Sequence, residues 1–415
     1  MLFRFYAHWR NSYMGIPRNI WLLSLISLVN RCGSMVISFI TLYLTQQLHF
    51  SIRDTGYTMS CFGVGALIGA YTGGRLTDKL GYYAVQFWSL VFNGLMLLLL
   101  MLVRDFWWMC AAVFAMSLIA ELFRPANSVA INRHCTPETR TRSISLYRMA
   151  VNLGWTVAPV LGGLLASLGW NWLFWVDGLT CIFAALLLRR LLPPGAEPDS
   201  PPVDPNEAPT TDISPYRDRA FLWFVLLSVI NAIVFMQFLW TVPVFFKESY
   251  GWTEAHIGLV VALNGLIVFV VEMPLIFRIE GRRSPLFFVR IGLVLYAVAY
   301  LSFNMPLGSS VAALAYIVAI SLGEIFVMPF SSNHVYGCMG ATRQGQYIAL
   351  YMMAYSVANT VAPLLGTQVI AAWGYSALWY LVMSLAGVAW IGIWWMDRRS
   401  TPPVPQISLP PHQTT

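Results

Sequence analysis

Thr156-Val157-Ala158-Pro159, set in a long apolar run, recurs 204 residues later as Thr360-Val361-Ala362-Pro363. The same offset carries Ser117 onto Ser321, Pro125 onto Pro329, Ser128 onto Ser332, Tyr147 onto Tyr351 and Ala150 onto Ala354. One offset held across two apolar runs and the loop between them marks an internal duplication, two parallel repeats of one bundle of helices. Near the start of each half, Asn30 falls on Asn231 at an offset of 201.

The rest of the chain fits that frame. It is 58% hydrophobic and 10% charged, against roughly 25% charged for a soluble domain. Apolar runs of about 20 residues, each enough to cross a hydrocarbon core, recur along nearly the whole length and leave no room for a soluble catalytic domain. The predicted spans are 20–46, 55–74, 83–103, 106–131, 144–167, 171–191, 220–246, 254–278, 285–304, 309–335, 344–370 and 374–396. The expected fold is an all-α membrane protein, twelve transmembrane helices in two pseudo-symmetric six-helix bundles. An amino-terminal segment, 1–19, precedes the first bundle at 20–192. A Pro-, Asp- and Thr-rich linker at 193–219 reads as disordered and leads to the second bundle at 220–397 and a tail at 398–415.

Basic residues crowd onto alternate loops. The side that carries both termini holds, among others, Arg18, Arg75, Lys79, Arg133, Arg140, Arg142, Arg189, Arg190, Arg282, Arg283, Arg343 and Arg398, whereas the opposite loops hold Arg53, Arg104 and Lys247. The positive-inside rule then predicts both termini in the cytoplasm of a plasma membrane, here a bacterial inner membrane. The net charge of +7 is read as a topology signal, with no nucleic-acid partner. The first apolar run is of spanning length and lacks a small-residue cleavage site, so it is read as a span and not a signal peptide. The six cysteines stand singly with no C-x-x-C spacing, which predicts neither disulfides nor structural zinc; no metal or cofactor is expected.

After the second span comes Gly73-Gly74-Arg75-Leu76-Thr77-Asp78-Lys79-Leu80-Gly81. This closely resembles the loop signature G-x-L-A-D-[RK]-x-G-[RK]-[RK] of the major facilitator superfamily, with Tyr82 and Tyr83 where the basic pair usually stands. The signature residues are Gly74, Asp78 and Gly81: glycines permit a tight turn, and a carboxylate can sit at the positive N-terminus of a neighbouring helix. In the fifth span, Gly154, Pro159 and Gly162 belong to a stretch similar to the G-x-x-x-G-P-x-x-G-G motif of the family's drug/proton antiporters, Ala158 replacing one glycine. The same small residues and proline also serve a purely structural packing and bending role. The family's arginine motif in the fourth span is not recognisable at its usual place.

Polar residues mark the cavity. Ser24, Ser27, Arg31, Ser34, Ser38, Thr41 and Thr45 recur every three or four residues along the first span, a stripe that lipid would not tolerate. Spans four and ten repeat the spacing with Ser117, Glu121, Arg124, Ser128 and with Ser321, Glu324, Ser332. The resemblance implies that spans one, four, seven and ten line the cavity. Glu121 and Glu324 each lie about fifteen residues, on the order of 22 Å, into their spans. A charge there costs about 2.5–3.5 kcal/mol on the insertion scale, so both are candidate proton or substrate groups, with a structural ion pair as the alternative. Arg31, Arg124 and Arg148 are candidate partners, and Asn30 and Asn231 belong to the same cavity set. Asp177 and Glu272, nearer the ends of their spans, suggest boundary or capping roles.

The resemblance implies a monomeric transporter, not an enzyme, with a small-molecule substrate, protons and the lipid bilayer as its partners. The expected activity is proton-coupled export of amphipathic or drug-like compounds by alternating access. The alternatives are proton-coupled import of a peptide, sugar or organic acid, and a transporter-like membrane sensor.

Overall fold

The computed structural model describes residues 13–136, 138–192, 213–252, 254–340 and 343–399. Ten helices among them are long and apolar enough to cross a membrane. One, Gln344–Arg399, has 56 residues and breaks at Gly374, φ 79° and ψ 177°, so it serves as two spans. Another helix, Ile52–Leu80, is 29 residues long but too rich in glycine, threonine and charge to be counted by hydropathy. With these two the spans number twelve.

The first span is α1 (Arg18–Cys32) and α2 (Met35–Leu42), followed by a π-helical turn at Tyr43–Gln47. Spans two to six are α3 (Ile52–Leu80), α4 (Tyr82–Leu100), α5 (Phe106–His134), α6 (Arg140–Leu168) and α7 (Trp170–Leu191). The seventh span is α8 (Arg219–Trp240), extended by α9 (Val242–Tyr250). Then follow α10 (Glu254–Ile279), α11 (Pro285–Leu301), α12 (Ser309–Cys338) and α13 (Gln344–Arg399). A 29-residue helix rises about 44 Å, enough for the core and much of both headgroup layers. Trp107, 77% exposed, and Trp373, 74% exposed, stand at one end of the bundle with Trp88 and Trp395 toward the other, the distribution of interfacial anchors.

Three expected boundaries change. The first span is not continuous: the helix stops at Cys32 and restarts at Met35. Thr180 of α7 approaches so closely at Gly33 that a Cβ there would lie 2.9 Å from its side chain. The N–H groups freed by the break need partners inside a membrane, and buried Asp177 of α7 accepts from the Val36 N–H at 3.0 Å. The seventh span likewise breaks, at Thr241. Finally, α3 runs on to Leu80, so Gly73 and Gly74 are helix-packing residues and the turn is made by Gly81 alone, φ 82°. Of the expected linker, 193–212 lie outside the described residues, as do 1–12 and 400–415 of the terminal segments.

Charged and hydroxyl side chains start several helices: Ser51 accepts from Asp54 N–H, Asp105 from Trp107 and Trp108 N–H, Asp218 from Phe221 N–H and Ser284 from Phe287 N–H. Apolar cores lie on either side of a seam. One gathers Met35, Ile40, Tyr43, Met109, Val113 and Phe174 of the first six spans. Another gathers Phe235, Tyr296, Tyr300, Tyr316, Phe330 and Trp379 of the last six. The seam between the two sets is where the charges gather.

Candidate functional site

Arg148 of α6 crosses the seam. Its Nη2 lies 2.8 Å from Glu324 Oε1 on α12, and its Nη1 lies 3.8 Å from Glu272 Oε1 on α10. The side chains are nearly enclosed: Glu272 is 3% exposed, Glu324 9% and Arg148 15%. Asn264, two turns before Glu272 on α10, donates to Glu324 Oε2 at 3.3 Å and to Ser321 Oγ at 2.9 Å. The Tyr296 hydroxyl lies within electrostatic range of Glu324 and Arg148, buried and without a hydrogen-bond partner among the described residues. One guanidinium faces two carboxylates, so one negative charge is left over, and a proton on either carboxylate cancels it.

The second group lies on the first six spans. Arg124 Nη1 meets Glu121 Oε2 at 3.0 Å across one turn of α5, with 35% and 20% of the two side chains exposed. Arg31, in the last turn of α1, lies over the Trp155 ring, 5.5 Å from its centroid, and within electrostatic range of Arg124, Glu121 and Tyr147. Span five can come this close because residue 154 is glycine: a Cβ there would lie 2.5 Å from Arg31 Cβ. Gly162 packs in the same way on the Phe39 ring, and Pro159 lies inside α6 between them. Glu121 and Glu324 are therefore not equivalent in their surroundings, since one pairs within its own helix and the other across the seam.

Arg31 also lines a small cavity of about 40 Å³. Asn30, Asn93, Asp177 and Cys181 line it, and Cys181 Sγ donates to Asn30 Oδ1 at 3.5 Å. Asn231, the repeat counterpart of Asn30, is buried on α8, its Oδ1 without a hydrogen-bond partner among the described residues.

A layer of polar contacts closes the seam at the end that carries the termini. Asp78 Oδ1 accepts from Gly345 N–H at 2.7 Å, and Oδ2 accepts from Gln346 N–H at 3.2 Å and from its Nε2 at 3.0 Å. The carboxylate thus sits on the positive N-terminus of α13. Gly74 and Gly345 let the two backbones touch there, a Cβ on either having no room. Beside them Arg142 Nε meets Glu280 Oε2 at 2.9 Å, Thr141 N–H donates to Glu280 Oε1 at 2.7 Å, and Asn333 donates to Thr141 Oγ1 at 2.9 Å. Burial raises the Glu280 carboxyl above its ordinary value, opposed by Arg142 and the Thr141 N–H.

By sequence Glu272 suits a boundary or capping role and Asn264 carries none; the structure brings both to the Arg148–Glu324 contact. Both are lone polar residues in an otherwise apolar run, eight positions apart, and that isolation was the available signal.

Residues 23–337 match a family model described as Major Facilitator Superfamily. Among curated relatives, the chain is 20% identical over 328 residues to Multidrug resistance protein 1 of Bacillus subtilis (strain 168), covering 79% of this chain and 83% of the relative. It is 28% identical over 229 residues to the 3-(3-hydroxy-phenyl)propionate transporter of Escherichia coli (strain K12), covering 53% and 55%. Among solved structures it is similar to a bacterial homologue of the iron transporter ferroportin in an outward-facing state. The TM-score is 0.72 at 17% identity, with 92% of this chain and 100% of that chain covered.

Proposed function

This chain belongs to the Major Facilitator Superfamily, and on that premise we propose proton-coupled export of amphipathic or drug-like compounds by alternating access. It is a multi-pass membrane transporter with a small-molecule substrate, not an enzyme. Proton coupling is supported by Arg148, held between Glu324 and Glu272 of the opposite six spans. Rocking the two sets apart breaks those contacts, and a proton that neutralises the surplus carboxylate changes what the separation costs. Proton occupancy and conformation are linked wherever the two states hold the proton with different affinity.

Export is supported by the Multidrug resistance protein 1 relative and by the small-residue packing of Gly154 and Gly162 in span five. With both termini in the cytoplasm, as the basic loops suggest, the polar layer around Asp78 and Arg142 is the cytoplasmic closure of an outward-facing carrier in a bacterial inner membrane. The working unit is taken as a monomer. A second reading, import of an organic acid, is favoured by the 3-(3-hydroxy-phenyl)propionate transporter relative.

The test is flux through the purified protein in vesicles under an imposed pH gradient, with amphipathic cations, neutral compounds and aromatic acids offered in turn. Movement of an amphipathic compound against the direction of proton flow is the expected result. Co-movement with protons selects import instead, and flux indifferent to the gradient overturns the coupling.

A further inference from the structure

We propose that Arg31 and Arg124 form a subsite for the carboxylate of an amphipathic organic anion, with the Trp155 ring against its apolar part. The inference deepens the transport reading, on which it rests, by naming the substrate class. Arg31 stands 13 residues beyond Arg18, about 20 Å along the first span at 1.5 Å per residue. A guanidinium at that depth calls for a counter-charge, yet among the described residues the Arg31 side chain makes no hydrogen bond or ion pair, and its guanidinium lies over the Trp155 ring. The carbonyl end of α1 offsets part of its charge, an effect confined to the last turn.

The charges around it include another cation. Arg124 lies within electrostatic range of Arg31, and among the described residues its ion-pair partner is Glu121 on its own helix. Among Arg31, Arg124 and Glu121, two guanidiniums and one carboxylate leave one positive charge in excess, and Arg124 remains 35% exposed. Guanidinium forks match a carboxylate geometrically as well as electrically. Trp155, 41% exposed beside Arg31, offers an apolar face where a bare inorganic anion would have no use for one. An aromatic or otherwise apolar acid satisfies both features at once; a cationic drug satisfies neither.

The test is thermal unfolding of the purified full chain near neutral pH with benzoate, 3-phenylpropionate and 4-phenylbutyrate, against their amides and against acetate. At least one aromatic carboxylate is expected to bind about tenfold or more tightly than its amide and than acetate, as a hydrogen bond to a charged group implies. Arg31→Gln should bring that carboxylate down to its amide, and Arg31→Lys should keep part of the preference. Glu121→Gln removes the carboxylate competing for Arg124, so it should tighten the acid severalfold and leave the amide unchanged. Carboxylates that bind no better than amides, or no better than acetate, overturn the subsite, as does a folded Arg31→Gln chain with its preference intact. If Arg31→Gln does not fold, unchanged acid binding in both Arg124→Gln and Glu121→Gln overturns it equally. Vesicle flux is read apart from binding: an acid that binds in this way and is never moved refutes the transport reading and not the subsite.

Discussion

Arg148 has a carboxylate at 2.8 Å and another at 3.8 Å, and the difference separates their roles. Glu324 is hydrogen-bonded to Arg148 and to Asn264, so its charge is well supported where it stands. Glu272, at 3% exposure, lies outside hydrogen-bond reach of Arg148 and is the more poorly compensated of the two. Removing one partner of a buried pair leaves the other charge stranded, at about 3–5 kcal/mol. Arg148→Ala strands two carboxylates and should lower the thermal midpoint more than Glu272→Gln, which removes the surplus charge; the reverse order in a thermal melt refutes this ledger of charges. At least one of Glu324→Gln, Glu272→Gln and Glu121→Gln should abolish gradient-driven flux while substrate exchange stays measurable. Normal gradient-driven flux in all three, and in the triple variant, would put the coupling group elsewhere.

Breaks and close approaches decide what the helices can do. The first span is interrupted at Gly33–Ser34, and Asp177 of another span supplies the acceptor that the restarted helix needs. Asp78 does the same for α13, but across the seam, so its two backbone bonds would break if that end opened. Asp78→Asn keeps the size and loses the charge at the helix N-terminus, worth about 0.3–1 kcal/mol and up to about 2 kcal/mol when partly buried. The expected outcome is turnover reduced severalfold with substrate affinity within about twofold, since a shift of that size biases two states without touching ligand. Lost binding with normal turnover at saturating substrate contradicts the assignment. Gly74→Val is a sterner probe: its side chain has no room against the Gly345 backbone, so the terminus-side closure should fail. A thiol placed at Gln346 should then react with a soluble reagent faster than in the unsubstituted chain.

For the molecule as a whole, polar contacts joining the two sets of six spans run from Asp78 and Arg142 at the rim to Arg148 deeper in. If the sets rock, those contacts open as a unit. Thr141→Cys with Asn333→Cys places thiols where a 2.9 Å hydrogen bond now joins the sets. Oxidation should stop flux and reduction restore it; an oxidised, cross-linked carrier that turns over normally excludes rocking about this seam. Sidedness is testable on intact cells. A thiol at Asp204 should be unreactive toward an impermeant reagent added from outside, and labelling there would invert the topology read from the basic loops.

The fold class was legible because its signals are local and repeated. Apolar runs of spanning length, the 204-residue offset and the Gly73–Gly81 signature each follow from what a bilayer requires of a chain, and together they specified an all-α membrane bundle of the family that the match over 23–337 identifies. The candidate site was legible by residue type, since a charge in an apolar run announces itself. Its partnerships were not. Glu121 lies three residues from Arg124, a pairing that helical periodicity can suggest. Arg148 and Glu324 are 176 residues apart in sequence, and the choice of Glu324 and Glu272 over other carboxylates is made by how two bundles meet. Likewise, helix geometry says that Asp78 suits a helix N-terminus, but only the packing of Gly74 on Gly345 says which one. Periodicity acts within a helix and is written in its own residues, whereas pairing across the seam depends on the shapes of both faces, which no single stretch of sequence contains.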